Sequence, residues 1–245
     1  MIGPAFVLVA HGTRSRTGVE TVAALAGAVA RRVGTVRTAF VDVLGPSPAE
    51  VLRGVDGPAV LVPAFLASGY HVHSDVPRGL LESGHPRVTV TRALGPHPVL
   101  ARVLEERLIE SGWCPGDSVV FAAAGSSDSR ARNDLRRAAA MLSARVGGEV
   151  TVAYVATGSP TVSEAVDRLR ADGARRVFIA SYLLAPGLFH TRLEQAGSDG
   201  VAAPLGVHPA VVDLVAARFR GARAGQPNSA LSSRIPVVVR RSTVP

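Results

Sequence analysis

Along most of the chain, continuous apolar, β-branched runs alternate with Ala-, Leu- and Arg-rich stretches whose apolar positions recur at helical spacing. Phe6–Ala10, Val36–Val43, Val60–Leu66 and Val88–Leu94 predict strands. Between and after them, Val19–Val33, Pro48–Val55, Val76–Ser83 and Pro98–Ser111 predict helices. The pattern then starts again. Val119–Ala123, Val150–Val155, Val177–Leu184 and Gly200–Pro204 read as strands, and Arg130–Val146, Val162–Asp172, Leu188–Ala196 and Pro209–Phe219 as helices. Strands that alternate with helices, and that are apolar throughout rather than on every second residue, belong to parallel sheets covered on both faces.

The restart is an internal repeat. Val7-Leu8-Val9-Ala10-His11-Gly12-Thr13 matches Val120-Phe121-Ala122-Ala123-Ala124-Gly125-Ser126. Ala39-Phe40-Val41-Asp42 matches Ala153-Tyr154-Val155-Ala156, and Gly95-Pro96-His97-Pro98 matches Gly206-Val207-His208-Pro209. Matched positions lie about 110 to 118 residues apart. The expected fold is α/β: two similar domains, each a parallel sheet flanked by helices. The first spans 1–112 and the second 117–220, while 221–245, a mixture of Gly, Pro, Ser and Arg, reads as a flexible tail.

Composition narrows the class. Of 245 residues, 47% are hydrophobic, enough for a substantial core. The longest apolar runs, such as Ala59 to Leu66, fall far short of the roughly 18 to 20 residues that span a bilayer. The N-terminal Met1-Ile2-Gly3-Pro4 lacks a basic segment and reads as the lead into a strand rather than a signal peptide. Cys114 is the single cysteine, which excludes disulfides and cysteine-rich metal sites within the chain. A cytoplasmic protein without a membrane partner is expected. The formal charge is +8, carried wholly by Arg because the chain has no Lys. These Arg residues are scattered, and four of them lie after Gly221, so no nucleic-acid partner is expected. Arg forks also suit a small polycarboxylate.

In open parallel sheets, sites form beyond the carboxyl ends of the strands. His11 ends the first strand, Asp42 lies near the end of the second, and His71 follows the third. Two imidazoles and a carboxylate suit iron, cobalt, nickel or zinc. The repeat acts as an internal control: Ala124 stands for His11, Ala156 for Asp42 and Phe189 for His71. A single gap would align His190 with His71 instead. His97 and His208 occur in both copies and are therefore read as structural. No phosphate loop with its Lys, dinucleotide glycine pattern or Gly-x-Ser-x-Gly elbow is present.

Ala10-His11-Gly12-Thr13, Phe40-Val41-Asp42 and the run from Pro63 to Pro77, which contains Ser68-Gly69-Tyr70-His71-Val72-His73, together resemble the class II chelatases of the CbiX/SirB type. Ala123-Ala124-Gly125-Ser126-Ser127-Asp128 and Leu184-Ala185-Pro186-Gly187-Leu188-Phe189-His190 resemble the second half of the long, two-domain members. The resemblance implies a chelatase-like fold and insertion of ferrous iron or cobalt into sirohydrochlorin, with release of two protons, for sirohaem or cobalamin synthesis. It implies metal-binding, catalytic roles for His11 and His71, with Asp42 as third ligand or proton acceptor where the family often has Glu. Thr13, Arg14, Ser68, Gly69, Tyr70, Ser126 and Ser127 are the expected substrate contacts. The expected partners are the tetrapyrrole and the divalent metal, with no cofactor beyond that metal; nickel and zinc would also be accepted in vitro. Self-association is undecided, as are two alternative readings: a non-catalytic metal or tetrapyrrole carrier, and a ferrochelatase acting on another porphyrin.

Overall fold

A computed structural model describes residues 3–224. Its first sheet contains β1 (Ala5–Ala10), β2 (Val36–Phe40), β3 (Ala59–Pro63) and β4 (Val88–Val90), in the order β2-β1-β3-β4. The second contains β5 (Ser118–Gly125), β6 (Val150–Thr157), β7 (Val177–Tyr182) and β8 (Gly200–Val201), in the order β6-β5-β7-β8. Every pairing is parallel. The helices are α1 (Arg16–Val33), α2 (Pro48–Arg53), α3 (Val76–Ser83), α4 (Pro98–Glu110), α5 (Ser129–Val146), α6 (Val162–Ala171), α7 (Leu188–Glu194) and α8 (Pro209–Arg223). The expected doubled parallel α/β fold is thus present.

The strand patterns explain themselves by burial on two faces. Val7 and Val9 of β1 pack outward with Leu61, Val51 and Leu52 beneath α2 and α3. Phe6 and Leu8, pointing the other way, enter a core shared by both halves. The second sheet repeats this: Val120 and Ala122 pack under α6 and α7, whereas Val119, Phe121 and Ala123 join the shared core.

That shared core has an unexpected construction. α4, the last helix of the first half, packs on α5 and β7 of the second; α8, the last helix of the second half, packs on α1 and β3 of the first. Phe219 of α8 stacks on Phe6 of β1 at 4.5 Å between ring centroids. Each half therefore lends a helix to the other. The apolar stripe of a helix does not state which sheet it will cover, so chain order alone does not reveal the exchange.

Local rules hold identically in both halves. Ser47 and Glu50 form a capping box at α2, and Thr161 and Glu164 form its counterpart at α6. His97 and His208 are N-caps whose Nδ1 accepts from Val99 N and Ala210 N, each at 3.2 Å. This is the structural role that their repetition foretold.

Some element ends differ from expectation. β2 stops at Phe40, because the chain turns back through Val43 (φ +66°) and Phe40 N donates to Pro46 O. β4 stops at Val90; after the Thr91 N–Leu61 O bond the chain leaves the sheet toward Gly95-Pro96. α8 continues through Arg223, so residues 221–223 are helical rather than tail. The rest of the expected tail, 225–245, lies outside the described residues. Among the described residues, no helix is long and apolar enough to cross a membrane.

Candidate metal-handling site

His11 leaves β1 at its carboxyl end, ahead of a turn that only glycine permits. Gly12 has φ +98°, and a Cβ there would lie 2.0 Å from Asp42 O. This close approach lets Asp42 N donate to His11 O at 3.0 Å, tying the two loop starts together. His71 is delivered differently. It opens a π-helical turn, His71–Asp75, that runs into α3 and closes through Val76 N to His71 O. Pro77, without an N–H, cannot supply a regular helical bond at this junction.

The two imidazoles meet. Their ring centroids are 4.4 Å apart at an interplanar angle of 79°. Phe65 stacks on His71 at 5.9 Å, and Tyr70 lies edge-on to it at 6.0 Å. In each histidine Nδ1 is engaged by an oxygen: His11 by Gly12 O at 3.2 Å, and His71 by Asp75 Oδ2 at 2.6 Å. Both acceptors call for the proton on Nδ1 in the neutral ring, which leaves Nε2 as the nitrogen with the lone pair.

Asp75 is a residue that sequence reading overlooked. It is buried, and its second oxygen accepts from the Arg78 guanidinium at 2.8 Å. A carboxylate that orients a histidine from behind is the usual partner of a metal-handling imidazole. The signal was present as the i, i+4 spacing of His71 and Asp75, but it becomes readable only once this segment is known to be helical.

The other expected site residues are placed as follows. Asp42 is exposed, and its Oδ1 accepts from Val43 N at 2.8 Å. It does not close a three-ligand set in this structure: among the described residues, no group of three His, Cys, Asp or Glu side chains could enclose a metal ion. Thr13 Oγ1 accepts from Ser15 N, and Ser126 Oγ accepts from Asp128 N, both at 3.1 Å, so the two hydroxyls shape equivalent turns. Ser68 N donates to Asp134 of α5 at 2.9 Å, and Gly69 abuts Ala131 and Ser126, which makes this loop a joint between the halves. Tyr182 adds to that joint: its hydroxyl donates to Leu66 O at 2.9 Å, and burial pushes its ionisation well above the usual range. Arg14 and Ser127 are exposed, and Arg132 donates to Ser127 O at 2.7 Å. His73 stands toward the second half, where its charge helps, after the dominant contribution of Arg130, to lower Asp128 to about 2.

Ala5 pairs with Ala59 as Ser118 pairs with Val177, and equal spacing onward from these registers makes Phe189 the counterpart of His71 and Leu193 that of Asp75. His190, one place further on, is largely buried; its Nε2 bonds to Ala202 O at 3.3 Å, and its Nδ1 lies 3.5 Å from Glu194, four residues on, as His71 stands to Asp75.

Among the described residues, the exposed large hydrophobic side chains include Val43 and Leu44 on the loop after β2, Tyr70 on the loop after β3, and Leu188 at the first position of α7. Tyr70 and Leu188 are 57% and 63% exposed and occupy equivalent positions in the two halves. Two concavities, one between α4 and α8 and one beside Phe6 and Phe219, lie elsewhere, and neither is lined by His11 or His71.

A doubled parallel α/β fold, with paired histidines at the strand ends of one half, defines the class as the two-domain chelatase-like proteins. The family model CbiX matches residues 5–111 and again 118–222, and the chain belongs to that family. It is 24% identical over 233 residues to the sirohydrochlorin ferrochelatase of Priestia megaterium, covering 86% of this chain and 87% of that one. It is 30% identical over 120 residues to the sirohydrochlorin cobaltochelatase of Methanococcoides burtonii, covering 42% of this chain and 92% of that one. SirB from Bacillus subtilis, solved with Fe3+, shares the fold at a TM-score of 0.78 and 22% identity, covering 92% of this chain and 98% of that one.

Proposed function

We propose that this protein is a sirohydrochlorin chelatase, which exchanges two pyrrole protons of the macrocycle for ferrous iron or cobalt. The observation that carries this reading is the His11–His71 pair, whose Nδ1 atoms are both engaged so that both Nε2 lone pairs remain available. Membership of the CbiX family and the activities named for the two relatives support the choice of substrate.

In this mechanism the macrocycle lies against the exposed apolar loops, with Tyr70 and Leu188 offering faces to the ring. His11 and His71 receive the incoming metal on Nε2. As the metal passes to the pyrrole nitrogens, His71 Nε2 takes one proton, while Asp75 holds the Nδ1–H and offsets the charge that forms. Asp42, exposed and tied by its main chain to His11, is the acceptor for the second proton rather than a resident metal ligand. Arg14, with Ser126 and Ser127 at the equivalent turn of the other half, faces the ring carboxylates. Of the domains expected from the repeat, the first supplies the histidines and the second the opposing wall.

The test is an anaerobic absorbance assay with sirohydrochlorin and Fe2+, Co2+ or Ni2+, measured against the rate without protein. Acceleration is expected with at least one metal, and a loss of roughly 10²- to 10⁴-fold in His11→Ala and in His71→Ala. Stability should change by less than about 1 kcal/mol in His11→Ala, whose side chain is exposed, and fall by about 1–3 kcal/mol in His71→Ala, which removes a partner of the buried Asp75 carboxylate. Stoichiometric binding without turnover would establish a carrier instead.

A further inference from the structure

A cavity of about 420 Å³ opens between α4 and α8, and it shares no lining residue with the histidine site. Val99, Ala210, Leu214 and Ala217 make its apolar walls, while His97, Arg102 and Arg218 bring cationic or donor groups. That volume falls in the usual range for a small-molecule site.

The charge of Arg218 in this cavity is uncompensated among the described residues, whereas Arg102 Nε lies 3.6 Å from Glu106 on the exposed rim. The Nε of Arg218 is buried and, among the described residues, has no hydrogen-bond partner. Among the described residues no acidic side chain offsets Arg218; burial, and then the charge of Arg92, both work against its protonated form. His97 is likewise pushed below its ordinary value by burial, then by Arg218 and Arg92. Among the described residues, the one acid lining the cavity, Asp213, is already paired with Arg32 at 2.6 Å. Residues 1–2 and 225–245 contain no Asp or Glu, so no acidic side chain outside the described residues could neutralise the cluster. A half-buried guanidinium beside like charges is costly unless an anion accompanies it. His97 adds direction: its Nδ1 accepts from Val99 N, which leaves Nε2–H as a donor.

We propose that the cavity between α4 and α8 binds a small organic oxyanion, a phosphate or carboxylate, through Arg218, Arg102 and the Nε2–H of His97, with its carbon body against Val99 and Leu214. Because α4 belongs in sequence to the first half and α8 to the second, such a ligand would clamp the exchanged helices together.

Thermal unfolding of the full chain, at fixed ionic strength, tests this with inorganic phosphate and with citrate as separate probes. A saturable rise in Tm is expected with at least one of them, about 3–6 °C at tenfold its Kd. Phosphate alone would assign a phosphate site, and citrate alone a carboxylate site. Arg218→Gln should keep or raise the Tm without anion and lose the saturable rise. Arg102→Gln, at a more exposed position, should weaken the apparent affinity at least threefold, and Arg220→Gln, exposed on the same helix, should leave it unchanged. The proposal is overturned if neither anion gives a saturable rise, or if Arg218→Gln and Arg102→Gln both respond as the parent does. Metal insertion is read separately, so either proposal can fail alone.

Discussion

The two halves share a framework and differ in the polar side chains they carry beyond the strand ends. Gly12 and Gly125 make the same left-handed approach to a neighbouring carbonyl, at would-be Cβ distances of 2.0 and 1.9 Å. The capping boxes and the histidine N-caps are likewise duplicated. Against this common frame, His11 faces Ala124, His71 faces Phe189, and the buried carboxylate of Asp75 faces the buried apolar Leu193. Features that the fold requires occur in both copies, whereas the His11–His71 pair backed by Asp75 occurs in one, the second half carrying only a shifted His190–Glu194 pair. The repeat therefore separates the two sets of features within a single chain.

The exchange of α4 and α8 argues that the halves stand or fall together, and separating them gives the largest expected effect. Residues 1–112 alone would expose Leu100, Val103, Leu104 and Leu108, all buried in the shared core. At about 1.5–3 kcal/mol for each, the loss is comparable to the whole stability of a domain. Far-ultraviolet circular dichroism of that fragment should show no cooperative unfolding; a sharp transition would make the halves independent units.

Gly12→Ala and Gly125→Ala come next. Each forces a Cβ onto a backbone oxygen at positive φ and should cost about 2–4 kcal/mol in chemical denaturation. Near-equal losses would sharpen the structural equivalence of the two turns; a large loss in only one would break it.

Asp75→Asn tests the asymmetric side. It keeps the shape but removes the carboxylate that receives the His71 Nδ1–H, so chelation should fall roughly 10- to 100-fold. Asp75→Leu, which copies the second half, should fall further. If both variants retain full rate, Asp75 serves α3 alone through Arg78.

The smallest effect concerns the two N-cap histidines. His97→Ala and His208→Ala should each cost about 1 kcal/mol. His97 has its protonated form disfavoured by burial, then by Arg218 and Arg92. A histidine depressed in the folded state contributes stability above the ordinary value near 6.5, and that stability is lost as pH falls below it. The parent should lose a small increment of Tm between about pH 6.5 and 5 that His97→Ala lacks. An identical profile in the two would remove the cation cluster as its cause.

The sequence by itself determined the doubled parallel fold, because strands buried on both faces must be apolar throughout and helices must carry a stripe. It determined the structural reading of His97 and His208, and it singled out His11 and His71, because a repeat exposes what only one copy keeps. It overlooked Asp75, whose pairing with His71 depends on a π-helical turn that residue periodicity does not encode. It also grouped Asp42 with the pair, whereas its carboxylate is engaged by its own turn. Tertiary structure alone decided which sheet each last helix covers and where Arg218 comes to lie. Periodicity records that a face will be buried, while its partner is chosen by packing between segments far apart in the chain.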